Sequence, residues 1–275
     1  MDPEQTAYLR RYFERASEQY AERIEPSFVQ LASVLVRAVE PRITDCVLDL
    51  GTGTGAVAQR IFGKVRRIIG VDFAYGMVQA ARTAAPLPVL QADIHWLPLP
   101  DKTFDLALAA FTFNSTNPPR SMGEAFRVLK PGGRLAIHEW GTEDVLEVIL
   151  AETMALYATD DPPPALAVQR EYSARTLPWE AFNSTQDVSD ALLRTGFAEV
   201  TSRVISPPVL FRDAKEFLDY KLAWPLRIAE LAAMDEETRH LCIADLTENI
   251  TAYAHTDGLV WRPNVVQIIA TKASN

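Results

Sequence analysis

Cysteine is nearly missing from this sequence: Cys46 and Cys242 are the only two in 275 residues. Nothing in their placement calls for a disulfide, and Cys46, beside an apolar run, reads as a small core residue. The four histidines and two cysteines show no metal-ligand spacing, so no metal is expected. Basic residues are the scarcer charge, 27 against 36 acidic, for a net charge of −9. An acidic chain without a Lys/Arg run is a poor partner for nucleic acid or an anionic membrane. No stretch approaches the roughly 20 apolar residues of a membrane span. The polar start, Met1-Asp-Pro-Glu-Gln5, is not a secretory signal. Internal repeats and low-complexity segments are absent. These absences together set the expectation of a soluble cytoplasmic protein, of undetermined oligomeric state.

What is present centres on Val47-Leu-Asp-Leu-Gly-Thr-Gly-Thr-Gly55. Val47, Leu48 and Leu50 read as a buried strand. Gly51, Gly53 and Gly55 follow at alternate positions, and 56–62 looks helical. A glycine turn between strand and helix lets backbone approach a ligand closely, and the helix start favours a polar or anionic group. Gly51-x-Gly53-x-x-Ala56 also satisfies the dinucleotide fingerprint. Asp49 argues against a pyrophosphate, which it would repel, and suits a ligand carrying an ammonium group.

The run 47–55 resembles the first motif of the class I S-adenosylmethionine (SAM)-dependent methyltransferases. Three further pieces are similar to that family and in its order. Gly70-Val-Asp-Phe73 resembles the end of the second strand, with Asp72 lying 17 residues after Gly55. Gln91-Ala-Asp-Ile94 resembles the adenine-contacting turn, and Arg127 to Leu135 the turn before the fifth strand. The resemblance is good over 8–140 and is nearest the quinone and polyketide methyltransferases. It implies an α/β fold: a doubly wound, seven-stranded Rossmann-like sheet with the last strand antiparallel. It also implies one methyltransferase domain over 1–275, with N-terminal cover helices (1–40), a SAM-binding core (41–140) and an inserted helical lid (207–262). SAM is the implied cofactor and S-adenosylhomocysteine the product. The cofactor-binding residues that follow are Tyr20, Asp49, Gly51, Thr52, Gly53, Gly55, Asp72, Phe73, Met77, Asp93, Ile94, Ala110 and Phe111. A carboxylate such as Asp72 at a strand end can accept from both hydroxyls of a ribose diol, and Asp93 can accept from the adenine amine. Asp72 alternatively caps a helix over 74–84.

Other elements follow from periodicity and punctuation. Helices are expected over 4–23, 26–39, 119–129, 143–158 and 185–195, the last closed by Gly196. Strands are expected at 45–50, 67–72, 89–91, 104–110, 134–139, 198–205 and 265–272. Asp160 to Pro164 reads as a stiff break. Within 207–262 lie two helical patterns. Phe217, Tyr220, Trp224, Ile228 and Leu231 form one, broken at Pro225; Cys242, Leu246, Ile250 and Tyr253 form the other. Four of the five tryptophans lie from Trp140 onward, and an aromatic-rich cover suits an apolar or planar substrate.

For chemistry, the resemblance implies methyl transfer to a small molecule at oxygen, nitrogen or carbon, mainly by alignment in a dry pocket. Where a proton must leave, Glu139 is the first candidate base, with His138 and His255 behind it. Asn114 stands where related enzymes carry a histidine. The alternatives are a SAM-binding protein that catalyses a non-methyl reaction or none, and an NAD-dependent oxidoreductase.

Overall fold

The computed structural model describes residues 3–175, 177–182 and 184–274; the first two residues of the polar start lie outside it. The chain opens with helix α1 (Pro3–Gln19) and passes through a π-helical turn, Tyr20–Ile24, into α2 (Glu25–Val39). The two expected N-terminal helices are therefore one nearly continuous rod. The wide turn changes the facing of the chain without breaking it, and such π segments concentrate at functional sites.

The central unit alternates strand and helix: β1 (Cys46–Leu50), α3 (Ala56–Ile61), β2 (Arg67–Asp72), α4 (Tyr75–Ala84), β3 (Val89–Gln91), β4 (Phe104–Ala110), α5 (Pro118–Val128) and β5 (Leu129–Trp140). Expected boundaries hold within two residues except at β5. That strand begins at Leu129, opposite Phe104; residues 130–133, read as a turn, bulge out, with Gly132 at φ 74°, before the ladder resumes at Arg134 opposite Leu106. Next come α6 (Val145–Leu156), α7 (Pro164–Ser173), α8 (Thr185–Thr195) and β6 (Phe197–Ile205). The triple proline is a break, as expected, but it also starts α7, where Pro164 needs no amide partner. Gly196 ends α8 in the left-handed region at φ 114°.

The remaining elements are β7 (Val209–Phe211), α9 (Ala214–Leu222), α10 (Pro225–Ala233), α11 (Glu236–Thr251), β8 (Leu259–Trp261) and β9 (Val265–Lys272). The segment 207–262 thus holds three helices, not two patterns, with β7 and β8 pairing antiparallel at its base. The break falls where Pro225 removes an amide, and α10 starts at that proline. Ile228 and Tyr253 of the expected stripes are exposed, whereas Phe217, Tyr220, Cys242, Leu246 and Ile250 are buried.

Seven strands form one sheet in the order β3-β2-β1-β4-β5-β9-β6. Strands β3, β2, β1, β4 and β5 run parallel; β9 is inserted antiparallel between β5 and β6. The alternation of β4 explains the two layers. Leu106 and Leu108 pack into a core with Leu31, Leu35, Val57 and Met77 of α2, α3 and α4. Ala107 and Ala109 pack into a second core with Met122 and Ala125 of α5 and Leu192 of α8. Among the described residues no helix is long and apolar enough to cross a membrane.

Candidate active site

The carboxyl ends of β1, β2, β3, β4 and β5 meet along one edge of the sheet, where an open α/β fold leaves its ligand crevice. A cavity of about 200 Å³ lies there. After β1 the chain turns through Gly51 (φ 66°), Gly53 (φ 55°) and Gly55 (φ 98°), all in the left-handed region. A Cβ on Gly51 would lie 2.3 Å from the Thr112 side chain, while one on Gly53 would meet nothing within 4 Å. Gly51 is therefore needed for packing, and Gly53 leaves open space beside the ligand edge. Both line the cavity.

Asp72, at the end of β2, holds this turn. Its Oδ2 accepts from the Gly53 amide at 2.9 Å and its Oδ1 from the Ala74 amide at 2.9 Å. Burial raises its pKa to about 6 against the pull of those amides. The helix-cap alternative is realised by a different residue. Glu14 of α1 accepts from the amides of Tyr75 and Gly76 at 2.5 and 2.7 Å, closing the start of α4 from outside. After β3, Asp93 Oδ1 accepts from the His95 amide (2.9 Å) and from Nδ1 of the same ring (2.7 Å). His95 Nε2 in turn accepts from the Asn117 amide at 2.7 Å.

Of the expected cofactor residues, Tyr20, Gly51, Gly53, Asp72, Phe73, Met77, Asp93, Ile94, Ala110 and Phe111 come together around the cavity. Asp49, Thr52 and Gly55 do not line it. Asp49 points into the protein, accepts from Thr52 Oγ1 at 2.7 Å, and has its pKa raised to about 7 by burial. Gly55 sits behind the turn against Gln59 and Leu87.

The three expected proton acceptors are also outside. Glu139 is fully buried and lies beneath the turn after β4, where its Oε1 accepts from the Phe113 amide at 2.5 Å. Burial raises its pKa to about 8. His138 is fully buried on the opposite face, its ring edge-on to Phe111, with burial lowering its pKa to about 4. His255 is exposed, in a backbone bridge with Gly258. Alternation along β5 does separate His138 from Glu139, but each faces a packed layer; the residue that reaches the cavity is Trp140.

Sequence reasoning missed several lining groups. Phe28 reads as ordinary core on an amphipathic helix. Ser115 and Thr116 carry no motif, whereas Thr112 and Asn114, which also line the cavity, follow the end of β4, where an open α/β sheet places its ligand. His95 had a usable signal, an acid two residues before a histidine in a turn. Phe13, Tyr20, Phe28, Phe111, Trp140 and Trp224 all line the cavity, and the last five are linked by ring contacts. Phe111 stacks on Trp140 with centroids 4.0 Å apart and meets Phe28 edge-on at 5.3 Å. Its backbone is held at φ 57°, with its amide donating to the His138 carbonyl. A bulky residue in that region is strained, and such strain gathers at ligand sites.

Residues 48–137 match the family model described as a methyltransferase domain. A demethylmenaquinone methyltransferase of Clavibacter sepedonicus is 28% identical over 185 residues, covering 63% of this chain and 74% of that one. One of that name from Thermus thermophilus is 39% identical over 102 residues, 34% of this chain and 46% of the relative. The chain thus spans under half the length of that second relative. A Thermotoga maritima structure, described as a SAM-dependent methyltransferase and possible histamine N-methyltransferase, aligns with TM-score 0.56 at 19% identity. It covers 98% of this chain and 99% of its own, a likeness of fold. The domain model, the named relatives and the seven-stranded sheet agree: residues 48–137 carry a methyltransferase domain, and the chain is similar to SAM-dependent methyltransferases in sequence there and in fold.

Proposed function

We propose that the cavity is where SAM and a small planar acceptor meet. The residues there suit SAM. Asp72 has four lone-pair positions and uses two on backbone amides, leaving one per oxygen for a ribose diol. Met77 and Ile94 offer apolar faces for the adenine, and Asp93 stands at its edge. Gly51 and Gly53 let the methionine portion approach, beneath Tyr20 and beside Ala110 and Phe111. Asp49, Thr52 and Gly55 shape the turn from behind. When bound, SAM supplies an electrophilic methyl group on a sulfonium.

The protein's part is alignment and exclusion of water. The linked aromatic rings of the lining are the observation that carries the acceptor class: they favour a flat, weakly polar molecule. Two relatives carry the name demethylmenaquinone methyltransferase, and a quinone-type ring fits this lining. Proton removal falls to the acceptor itself. Asp93 and Asn117 occupy both nitrogens of His95, and Glu139 holds the turn after β4 as a positioning residue. The acceptor is then one that ionises readily, such as a quinol, a phenol or an enol. Segment 207–262 covers it through Trp224.

The test is S-adenosylhomocysteine release, followed by mass spectrometry, with SAM and a panel of quinols, phenols and alkyl amines. Turnover with planar ionisable acceptors is expected. Turnover with alkyl amines alone overturns the acceptor class, and failure to bind SAM in calorimetry overturns the cofactor assignment.

A further inference from the structure

The cavity assigned to SAM and the acceptor is smaller than its contents. Its volume of about 200 Å³ lies below the roughly 300–1,000 Å³ usual for a single drug-sized ligand. A second cavity of about 380 Å³ lies against it, and Trp140 and Trp224 line both. Trp140 belongs to β5 and is held by the sheet. Trp224 belongs to no helix: it is extended (φ −74°, ψ 141°) between α9 and α10. Its indole meets Tyr12, Tyr20 and Phe28 through ring contacts at 6.0–6.4 Å. Among the described residues its Nε1 makes no hydrogen bond. Trp140 and Trp224 thus stand between the two cavities.

The far wall of the second cavity carries buried charge. The Lys221 ammonium lies 4.0 Å over the Trp261 ring and pairs with Glu147 Oε2. Trp261 Nε1 donates to Asp144 at 2.7 Å, and Asp144 also caps α6. These groups satisfy one another. Arg227 is different. Its five N–H donors have a 3.4 Å contact to the Met154 sulfur and a loose 3.8 Å ion pair with Glu147. The wall carries two cations, Lys221 and Arg227, and three anions, Glu143, Asp144 and Glu147. Lys221 is matched by Glu147, and Asp144 by the Trp261 indole and the α6 amides, so Arg227 is the cation left for a ligand, and the excess of acids disfavours a doubly charged phosphate. A singly charged, planar carboxylate matches the unused guanidinium fork.

We propose that the second cavity is the distal half of the acceptor site, taking an elongated, largely apolar acceptor whose terminal carboxylate pairs with Arg227. The acceptor threads past Trp224, and its reacting end lies among Phe28, Phe111 and Trp140. This rests on the acceptor reading above.

Calorimetric titration of the intact protein with decanoate and decanamide, each with and without SAM, tests it. Decanoate should bind at least about tenfold more tightly than decanamide, a loss of the size expected for one charge-assisted contact. Arg227→Gln should abolish that preference, and Arg227→Lys should restore it in part, because charge returns without the fork. SAM affinity should be unchanged in both variants. Equal binding of the two probes to the wild-type protein overturns the proposal without needing any variant. So does a carboxylate preference that survives in Arg227→Gln. Failure of the wild type to bind SAM would instead strike the cofactor reading, and the decanoate titration without SAM still decides the second cavity.

Discussion

Single residues here separate support of the turn from contact with the ligand. Gly51 and Gly53 share the left-handed backbone but not the space around it. Gly51→Ala must displace Thr112, whose hydroxyl donates to the Leu50 carbonyl at 3.0 Å. It should lower stability by about 2–4 kcal/mol, strain and overpacking together. Gly53→Ala should cost only the backbone strain, about 1–2 kcal/mol, yet weaken SAM binding because its methyl enters the cavity. Denaturant melts and calorimetry on the pair check the split; equal stability losses would refute it. Asp72→Ala should weaken SAM binding by on the order of 1.5–3 kcal/mol per lost charge-assisted bond, with some stability lost because the Gly53 and Ala74 amides lose their acceptor. Unchanged SAM affinity would place the ribose elsewhere. Glu139 yields a pH test. Its folded pKa of about 8 stands above the ordinary 4.5. The native state therefore holds the extra proton between those values, and the stability present below pH 4.5 is lost as pH rises through 8. The slope from this one group is about 1.4 kcal/mol per pH unit at most. Glu139→Gln should flatten the fall in stability between pH 5 and 8. A variant as pH-sensitive as the wild type would show that another group titrates.

At the scale of elements, α1 is fastened to α4 by one side chain. Glu14 closes the α4 start by accepting from Tyr75 and Gly76, where a carboxylate also meets the positive helix end. Gly76 permits the contact, since a Cβ there would lie 2.2 Å from Ser17 Oγ. Glu14→Ala should cost about 1–2 kcal/mol and free the helix that carries Phe13 to the cavity. Hydrogen exchange along 3–24 should quicken in the variant more than exchange in β1 or β4. Uniform acceleration would indicate global destabilisation and no latch. None of this was visible from periodicity, which placed α1 on its apolar stripe but named no partner for an acidic residue on its side.

The whole molecule is a sheet whose crevice is flanked by the N-terminal rod and by Trp224 of the 207–262 segment. SAM binds the folded state, so saturation at about 100 times its Kd should add about 2.7 kcal/mol and raise the Tm by several degrees for a chain of this size. NAD at the same concentration should leave it unmoved. A shift with NAD and none with SAM would reverse the cofactor assignment. Much of this was legible before any coordinates. The order of strands and helices over 46–140, the left-handed glycines and the acids at 72 and 93 follow from local rules: alternation, turn chemistry and the spacing of polar groups at strand ends. The sequence by itself therefore determined the sheet and the edge at which the cavity lies. It did not determine which side of a strand end opens on the crevice. Glu139 reads as a base by position, but pleating turns it under the Phe113 turn and leaves Trp140 facing the cavity. Phe28 and Trp224 stand 196 residues apart in the chain and 6.2 Å apart in space. Their meeting, and that of Lys221 with Glu147, is decided by packing of elements distant in sequence. That packing depends on contacts that no local pattern of residues encodes.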